Sequence, residues 1–339
     1  MQYRFSSQPV LFVSAHDMEP SHLKSLDQTE ALLDWLEIEV LLSPIYASKM
    51  GRPSYPLLTL FRGLLIGVWY GLSDVQLSQS LYRDLLFRKF CHLELASPAP
   101  EASTLGRFRN ELVKHDLWER LLGEINRQLE AKNIIMTQGR INIIDATPIE
   151  AAQSGPGKSK AKGKEGQPTK DPEAGWHVKN NSRGIKTSTY GYSVHTGVDE
   201  DGFVHRQTVT PGNAHDSTCR DILLLGDEAA LYADSAYSSL ETRECLARFG
   251  IEDQVQRKGH RNKPLSQEDK ARNDEIAVTR AGGERPFATY KSRYGLRRTR
   301  LMGLVKNMTF YGLAAIALNI RKGAKFLALY GIREQVPVL

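Results

Sequence analysis

Apolar residues recur at helical spacing from residue 22 to about residue 133. Leu32, Leu33, Trp35, Leu36, Ile38 and Val40–Leu42 predict a first amphipathic helix. Pro53 and Pro56 open a second, which carries Leu60, Leu64, Leu65 and Trp69 and ends near Gly71. Ser73-Asp74-Val75-Gln76 has the pattern of a capping box and starts a third helix across Leu77 and Leu81. Beyond Pro98 and Pro100, Ser103 is placed to cap a helix containing Arg107, Phe108, Arg109 and Leu112, and Trp118–Leu129 forms the last. Short helices with tight turns fit either a helix-turn-helix module or an ordinary bundle that packs against another layer.

The pattern changes at Gly139. Arg140–Asp145 is a β-branched run, and Thr189–Val198 and Phe203–Thr210 alternate apolar with polar residues around a turn at Asp199-Glu200-Asp201-Gly202. Asp216–Leu225 then reads as a helix, Ala230–Asp234 as a buried strand, Ser239–Phe249 as a helix and Ile251–Gln256 as a strand. A charged loop follows. This succession describes an α+β or α/β domain, a mixed sheet flanked by helices. The expected division is a helical domain over 1–135, the sheet domain over 136–330 and a tail over 331–339. Inside the sheet domain, the Gly- and Lys-rich stretch 154–184 is expected to be a mobile loop, because its start has almost no large apolar side chain to bury. Its Lys158, Lys160, Lys162 and Lys164 fit either a phosphate-sliding role or a solvated linker.

Charge narrows the choice of partners. A net charge of +6 and a pI near 9.1 favour a polyanion. The three cysteines, Cys91, Cys219 and Cys245, are far apart and odd in number. That argues against a disulfide framework or a thiolate zinc site and fits a reducing cytoplasm. Met1 to His16 lacks the features of a secretory signal, and Arg62 and Lys306 interrupt the two longest apolar runs, so no membrane span is expected. No glycine-rich phosphate loop stands out, so no nucleotide cofactor is expected.

The strongest chemical signal is local. Glu284 is followed, from Arg285 to Lys325, by ten Lys or Arg and no acid. A single carboxylate there is suited to a metal ion while its neighbours hold phosphates. Asp145 and Asp234 end two of the predicted strands. Each alone reads as a turn cap. Together with Glu284 they have the oxygen ligands that hard divalent cations need, and two such ions roughly 3.5–4 Å apart serve phosphodiester chemistry. Glu150 is a rival carboxylate, with a local salt bridge as its simpler role.

At this level the chain resembles a known family. Asp-Ala-Thr-Pro-Ile-Glu-Ala at 145–151, Thr-Pro-Gly-Asn-Ala-His-Asp at 210–216, Ala-Asp-Ser-Ala-Tyr at 233–237 and Arg280-Ala-Gly-Gly-Glu284-Arg-Pro-Phe287 with Lys291 are similar to motifs of bacterial DDE transposases. Gly51-Arg52-Pro53-Ser54-Tyr55-Pro56, Trp69–Asp74 and Ser103-Thr104-Leu105 with Arg107-Phe108-Arg109 point to the insertion-sequence-five branch, of the InsH type. The resemblance implies an RNase H-like core in which Asp145, Asp234 and Glu284 hold magnesium, for which manganese can substitute, as two ions.

It further implies double-stranded DNA as partner, both inverted-repeat ends and target, with a homodimer formed on DNA near the bacterial nucleoid. Arg280, Lys291, Arg293, Arg297, Arg298 and Arg300 would grip DNA beside the site, and Arg107 and Arg109 would do so from the helical domain. His195 and His215 read first as structural histidines, with a supporting role at the site as the family's alternative. The family's tyrosine–arginine–glutamate–lysine signature is met at Arg280, Glu284 and Lys291, but Ala277 stands at the tyrosine position. A structure-selective nuclease with the same core, or a catalytically silent DNA-binding repressor, remain the other readings.

Overall fold

A computed structural model describes residues 25–46, 54–137, 139–155, 170–180, 186–259 and 264–330. Met1 to His16, Gly51-Arg52-Pro53, Lys158, Lys160, Lys162, Lys164 and the 331–339 tail lie outside the described residues. The helical region comprises α1 (Ser25–Leu32), α2 (Trp35–Leu42), α3 (Leu57–Trp69), α4 (Asp74–Arg83), α5 (Leu85–Phe90), α6 (Ala102–Lys114) and α7 (Leu117–Ala131).

The expected first helix is in fact two. Asp34 accepts a hydrogen bond from the Leu36 amide and starts α2 afresh, while α1 extends back to Ser25. Ser73 and Gln76 close their capping box in both directions at the head of α4. Ser103 caps nothing: α6 begins one residue earlier, after Glu101. The unexpected α5 exists because Asp84 accepts from the amides of Leu86 and Phe87. Arg62, the charge inside the apolar run of α3, is buried, pairs with Glu30 at 2.8 Å and lies 4.3 Å over the Trp35 ring. Among the described residues no single helix is long and apolar enough to cross a membrane.

The sheet has six strands, β1 (Ile141–Glu150), β2 (Gly175–Asn180), β3 (Lys186–Val198), β4 (Val204–Pro211), β5 (Ala230–Ala233) and β6 (Glu252–Val255). Its order is β2-β3-β1-β5-β6, with β4 also paired to β3. β1, β2 and β4 run antiparallel to β3, while β1, β5 and β6 are mutually parallel neighbours. An antiparallel meander continued by parallel strands, with helices around it, is an RNase H-like core.

Three expectations need correction here. The stretch assigned to a loop, 154–184, contains β2, an edge strand with Trp176 and Val178 half exposed. The segment expected as one helix from Asp216 is a 3₁₀ turn over Asp216–Cys219 followed by the single turn α8 (Arg220–Leu223). After α9 (Leu240–Phe249), the presumed charged loop holds α10 (Gln267–Arg280), capped by Ser266. Two more helices follow, α11 (Glu284–Ser292) and α12 (Leu304–Tyr330).

α12 fastens the two regions together. Leu313 to Ala317 and Ile320 are buried between the helical layer and the sheet, and Trp69 of α3 donates its indole N–H to the Ala317 carbonyl at 2.7 Å. Asn319 treats the start of β4 as a neighbouring strand would. Its Oδ1 accepts from the Val204 amide at 2.9 Å, and its Nδ2 donates to the Val204 carbonyl and to Asn126 of α7, both at 2.7 Å. Every polar group in that buried contact is satisfied by the other two residues.

Candidate active site

Strand register brings the two aspartates together. The strand expected to end at Asp145 continues to Glu150, so Asp145 lies in mid-strand. Because Ile144 lies opposite Ala233 in the parallel pairing of β1 with β5, Asp234, just past the end of β5, stands at its level. Neighbouring strands lie about 4.8 Å apart, which places both carboxylates over one edge of the core. Asp234 then caps the short turn Ser235–Tyr237 by accepting from the Ala236 amide at 2.8 Å. The turn-cap role expected of a lone aspartate is therefore met here.

Glu284 arrives from the opposite direction, at the first position of α11. Gly282 and Gly283 let it come so close. A Cβ on Gly283 would stand 2.9 Å from Ile143 Cγ2 and 3.4 Å from Asp145 Cβ, and one on Gly282 would stand 3.1 Å from Ile143 Cδ1. A side chain at Gly282 would press on the tip of Ile143, while one at Gly283 would force Ile143 or α11 to shift. Behind it, Phe287 and Tyr290 bury against the core, and the Tyr290 hydroxyl donates to Gln207 at 3.0 Å.

The electrostatics report the same convergence. Burial pushes the Asp145 carboxyl above its ordinary range, and the charges of Asp234 and Glu284 push the same way. The Arg280 guanidinium and the Ala146 amide oppose them. Arg280 reaches Asp145 Oδ1 at 3.6 Å and donates to Gln256 at 3.3 Å, while its buried Nε has no hydrogen-bond partner among the described residues. Among those residues no three His, Cys, Asp or Glu side chains already stand at ligand spacing around one point. Like charges held apart, with an arginine alongside, are consistent with that spread. The donor set itself is three carboxylates from two strands and a helix, which suits a hard divalent cation.

Around the triad lie His195, which the sequence marks, and further groups that it does not. Asp216 has its own carboxyl pushed up, first by burial and then by Asp234. The buried His195 lies with Nδ1 3.9 Å from Asp216 Oδ1 and 3.5 Å from the Tyr237 hydroxyl, and its Nε2 is 2.9 Å from Thr210 Oγ1. Despite that carboxylate, burial wins and lowers the ring to about 4, leaving it neutral. His177 and Lys179 come in on β2, the strand that was expected to be loop. Thr196, directly opposite Asp145 on β3, keeps its buried hydroxyl without a hydrogen-bond partner among the described residues. The 210–216 motif ends on Asp216, so a signal existed; His177 and Thr196 become visible only through strand pairing.

Of the remaining expected residues, some gather here and others do not. Lys291 lies along β1 and donates to Thr147 at 2.6 Å. Arg293 and Arg297 are exposed. Arg298 is tied to the carbonyls of Ala151 and Ala152, both at 3.0 Å, and Arg300 to that of Gly71 at 3.0 Å. Arg107 faces outward on α6, but Arg109 turns inward and grips both oxygens of Asp74, binding α6 to α4 instead of standing free for a ligand. His215 sits apart from His195 and accepts from the Ser217 amide as the cap of its turn. Glu150 is exposed and pairs through its backbone with Arg297 and Thr299.

A helical region followed by an RNase H-like core, with Asp145 in the middle of β1, Asp234 just past the end of β5 and Glu284 at the head of α11, has the arrangement of a DDE-type enzyme. The sequence profile of a family described as a transposase DDE domain matches residues 136–320, and one described as transposase domain (DUF772) matches residues 13–111. The first covers more than half of the chain, which therefore belongs to the DDE transposases. No solved structure matches the chain.

Proposed function

We propose that this transposase belongs to the insertion-sequence-five branch, binds the terminal inverted repeats of its element, cuts phosphodiesters there and joins the freed 3′ hydroxyls to target DNA. The observation that carries this reading is the convergence of Asp145, Asp234 and Glu284 beside Arg280. The family uses divalent metal ions. Here the three carboxylates would hold magnesium, replaceable by manganese, as two ions; when bound, these would supply Lewis acidity at the scissile phosphate. Arg280 balances the charge of Asp145 and offers its unpaired Nε to a phosphate. Lys291 fixes α11 against β1 and adds a second cation at the same edge. Hydrolysis and joining use one site in turn, with no covalent link to the protein. Because two ends must meet, the working form is a homodimer on DNA.

The test is a strand-transfer assay on pre-cleaved inverted-repeat ends with magnesium. Asp145→Asn, Asp234→Asn and Glu284→Gln should each abolish cutting and joining while end binding persists. Near-normal joining by Glu284→Gln would remove Glu284 from the site. Cutting without joining by the wild-type protein would make it a nuclease, and binding with neither activity a repressor.

A further inference from the structure

A second cationic site lies one residue beyond Glu284, on the other side of α11. A cleft of about 470 Å³ opens between α1, α11 and α12, and its walls carry Arg285, Arg293, Arg321, Lys322 and Lys325 with no Asp or Glu. Cations so placed repel one another unless an anion lies among them. Arg321 forms the floor. Its guanidinium lies 4.8 Å over the Trp69 ring and 5.2 Å from that of Tyr70. The stack fixes the plane of the group, yet its buried Nε and Nη2 have no hydrogen-bond partner among the described residues. Unmet guanidinium donors in a fixed fork match a phosphate. Arg293 and Arg321 both act on the Tyr294 hydroxyl, which burial pushes up to about 12 while the two cations pull it down, so both charges face one point of the wall. Lys322 is already committed: its ammonium donates to the Asp201 carbonyl and lies 5.0 Å over the Phe203 ring.

We infer that this cleft binds the sugar-phosphate backbone of a single DNA strand running on from the carboxylates, with Arg321 as its anchor and Arg293 and Lys325 at its rim. The inference rests on the DNA reading of the active site. A cavity of this size is that of a small-molecule site and has no room for a duplex. Arg285, next in sequence to Glu284, marks the path from one site to the other.

The probe is a fluorescein-labelled oligothymidylate of about twelve nucleotides, followed by anisotropy across salt concentrations with the full-length protein. Arg293→Ala combined with Lys325→Ala alters only exposed side chains. It should weaken binding about tenfold or more and flatten the slope of log affinity against log salt by about 1.4, some 0.7 for each phosphate no longer held. Arg321→Gln should do likewise, with circular dichroism confirming the fold. Unchanged affinity and slope in the double variant would overturn the inference. So would displacement of the oligomer by an equal concentration of inorganic phosphate, which would reduce the cleft to a free-anion site. If the wild-type protein binds and cuts inverted-repeat duplex but ignores the oligomer, the cleft assignment alone fails. If it binds neither DNA, the transposase reading fails with it.

Discussion

The Lys291 ammonium donates to the Thr147 hydroxyl over 2.6 Å, joining the last turn of α11 to β1 two residues beyond Asp145. One bond thus holds a cation beside the carboxylates and keeps the glutamate-bearing helix on its strand. The two roles separate by mutation. Lys291→Ala is expected to slow strand transfer by about a hundredfold, the usual cost of removing one charged donor from a reacting site. Thr147→Val removes only the acceptor and should cost about threefold. Equal losses in a single-turnover joining assay would mean that Lys291 acts only by fixing α11.

Gly283→Ala dissociates activity from stability. The added methyl meets Ile143 Cγ2 at 2.9 Å, a branch close to the strand backbone that has little room to give. Overpacking costs about 1–3 kcal/mol, while alanine returns about 0.4–1 kcal/mol by restricting the unfolded chain, since Gly283 has right-handed helical φ and ψ. Thermal unfolding should therefore shift only slightly, whereas α11 moves outward and cleavage falls sharply. Wild-type cleavage by this variant would show that Glu284 does not depend on close approach to β1.

His195 predicts an acid-sensitive fold. Its ring stays neutral down to about pH 4 in the folded protein but takes a proton near 6.5 once unfolded. The unfolded state binds the extra proton between those values, so stability drops as pH falls from 6.5 to 4 and levels off below. The loss is on the order of 3 kcal/mol. His195→Gln should flatten this segment of a urea-midpoint against pH plot; an unaltered profile would assign the acid sensitivity to other groups.

Asp145 carries the opposite sign. Its carboxyl is raised, so its ionised form weighs against folding as pH climbs past the ordinary carboxylate range. Without divalent metal, Asp145→Asn should raise the melting temperature at neutral pH and lose that advantage in acid. Added magnesium should favour the wild-type protein and not the variant. A destabilised variant at neutral pH in chelator would mean that Arg280 outweighs burial at this position.

Neighbouring arginines differ in the same way. Arg298 holds the carbonyls of Ala151 and Ala152, so Arg298→Ala should lower stability by about 1–2 kcal/mol. Arg297 is exposed and has no ion pair among the described residues. Arg297→Ala should leave the melting temperature alone and flatten the salt dependence of duplex binding by about 0.9. Matching effects from the two variants would erase the distinction.

Much of this was legible in the residues, and the exceptions have physical causes. Asp145 and Asp234 could be marked because each ends an apolar run, but their adjacency rests on a register that periodicity does not encode. β2 escaped because Gly-Trp-His-Val-Lys-Asn lies at an edge with its larger apolar side chains half exposed, so no apolar face advertises it. α10 escaped because Ile276 is its one buried residue. Arg109 read as a free cation because Asp74, its partner, sits 35 positions away on another helix. Ala277, in the place of the family's tyrosine, is exposed on α10. Local chemistry could be read from the chain, while long-range pairing could not.

α12 has a consequence for how the protein comes into being. Residues 304–330 are translated after every element they support, yet the sheet and the helical layer share no complete core without them. At about 5–20 residues per second, the ribosome keeps the earlier segments waiting for many seconds with their apolar faces uncovered. A product truncated before Leu304 would carry Asp145, Asp234 and Glu284 and still be inert, prone to clumping or to removal by proteases. The core that positions these residues would thus be completed only late in synthesis, once α12 has emerged.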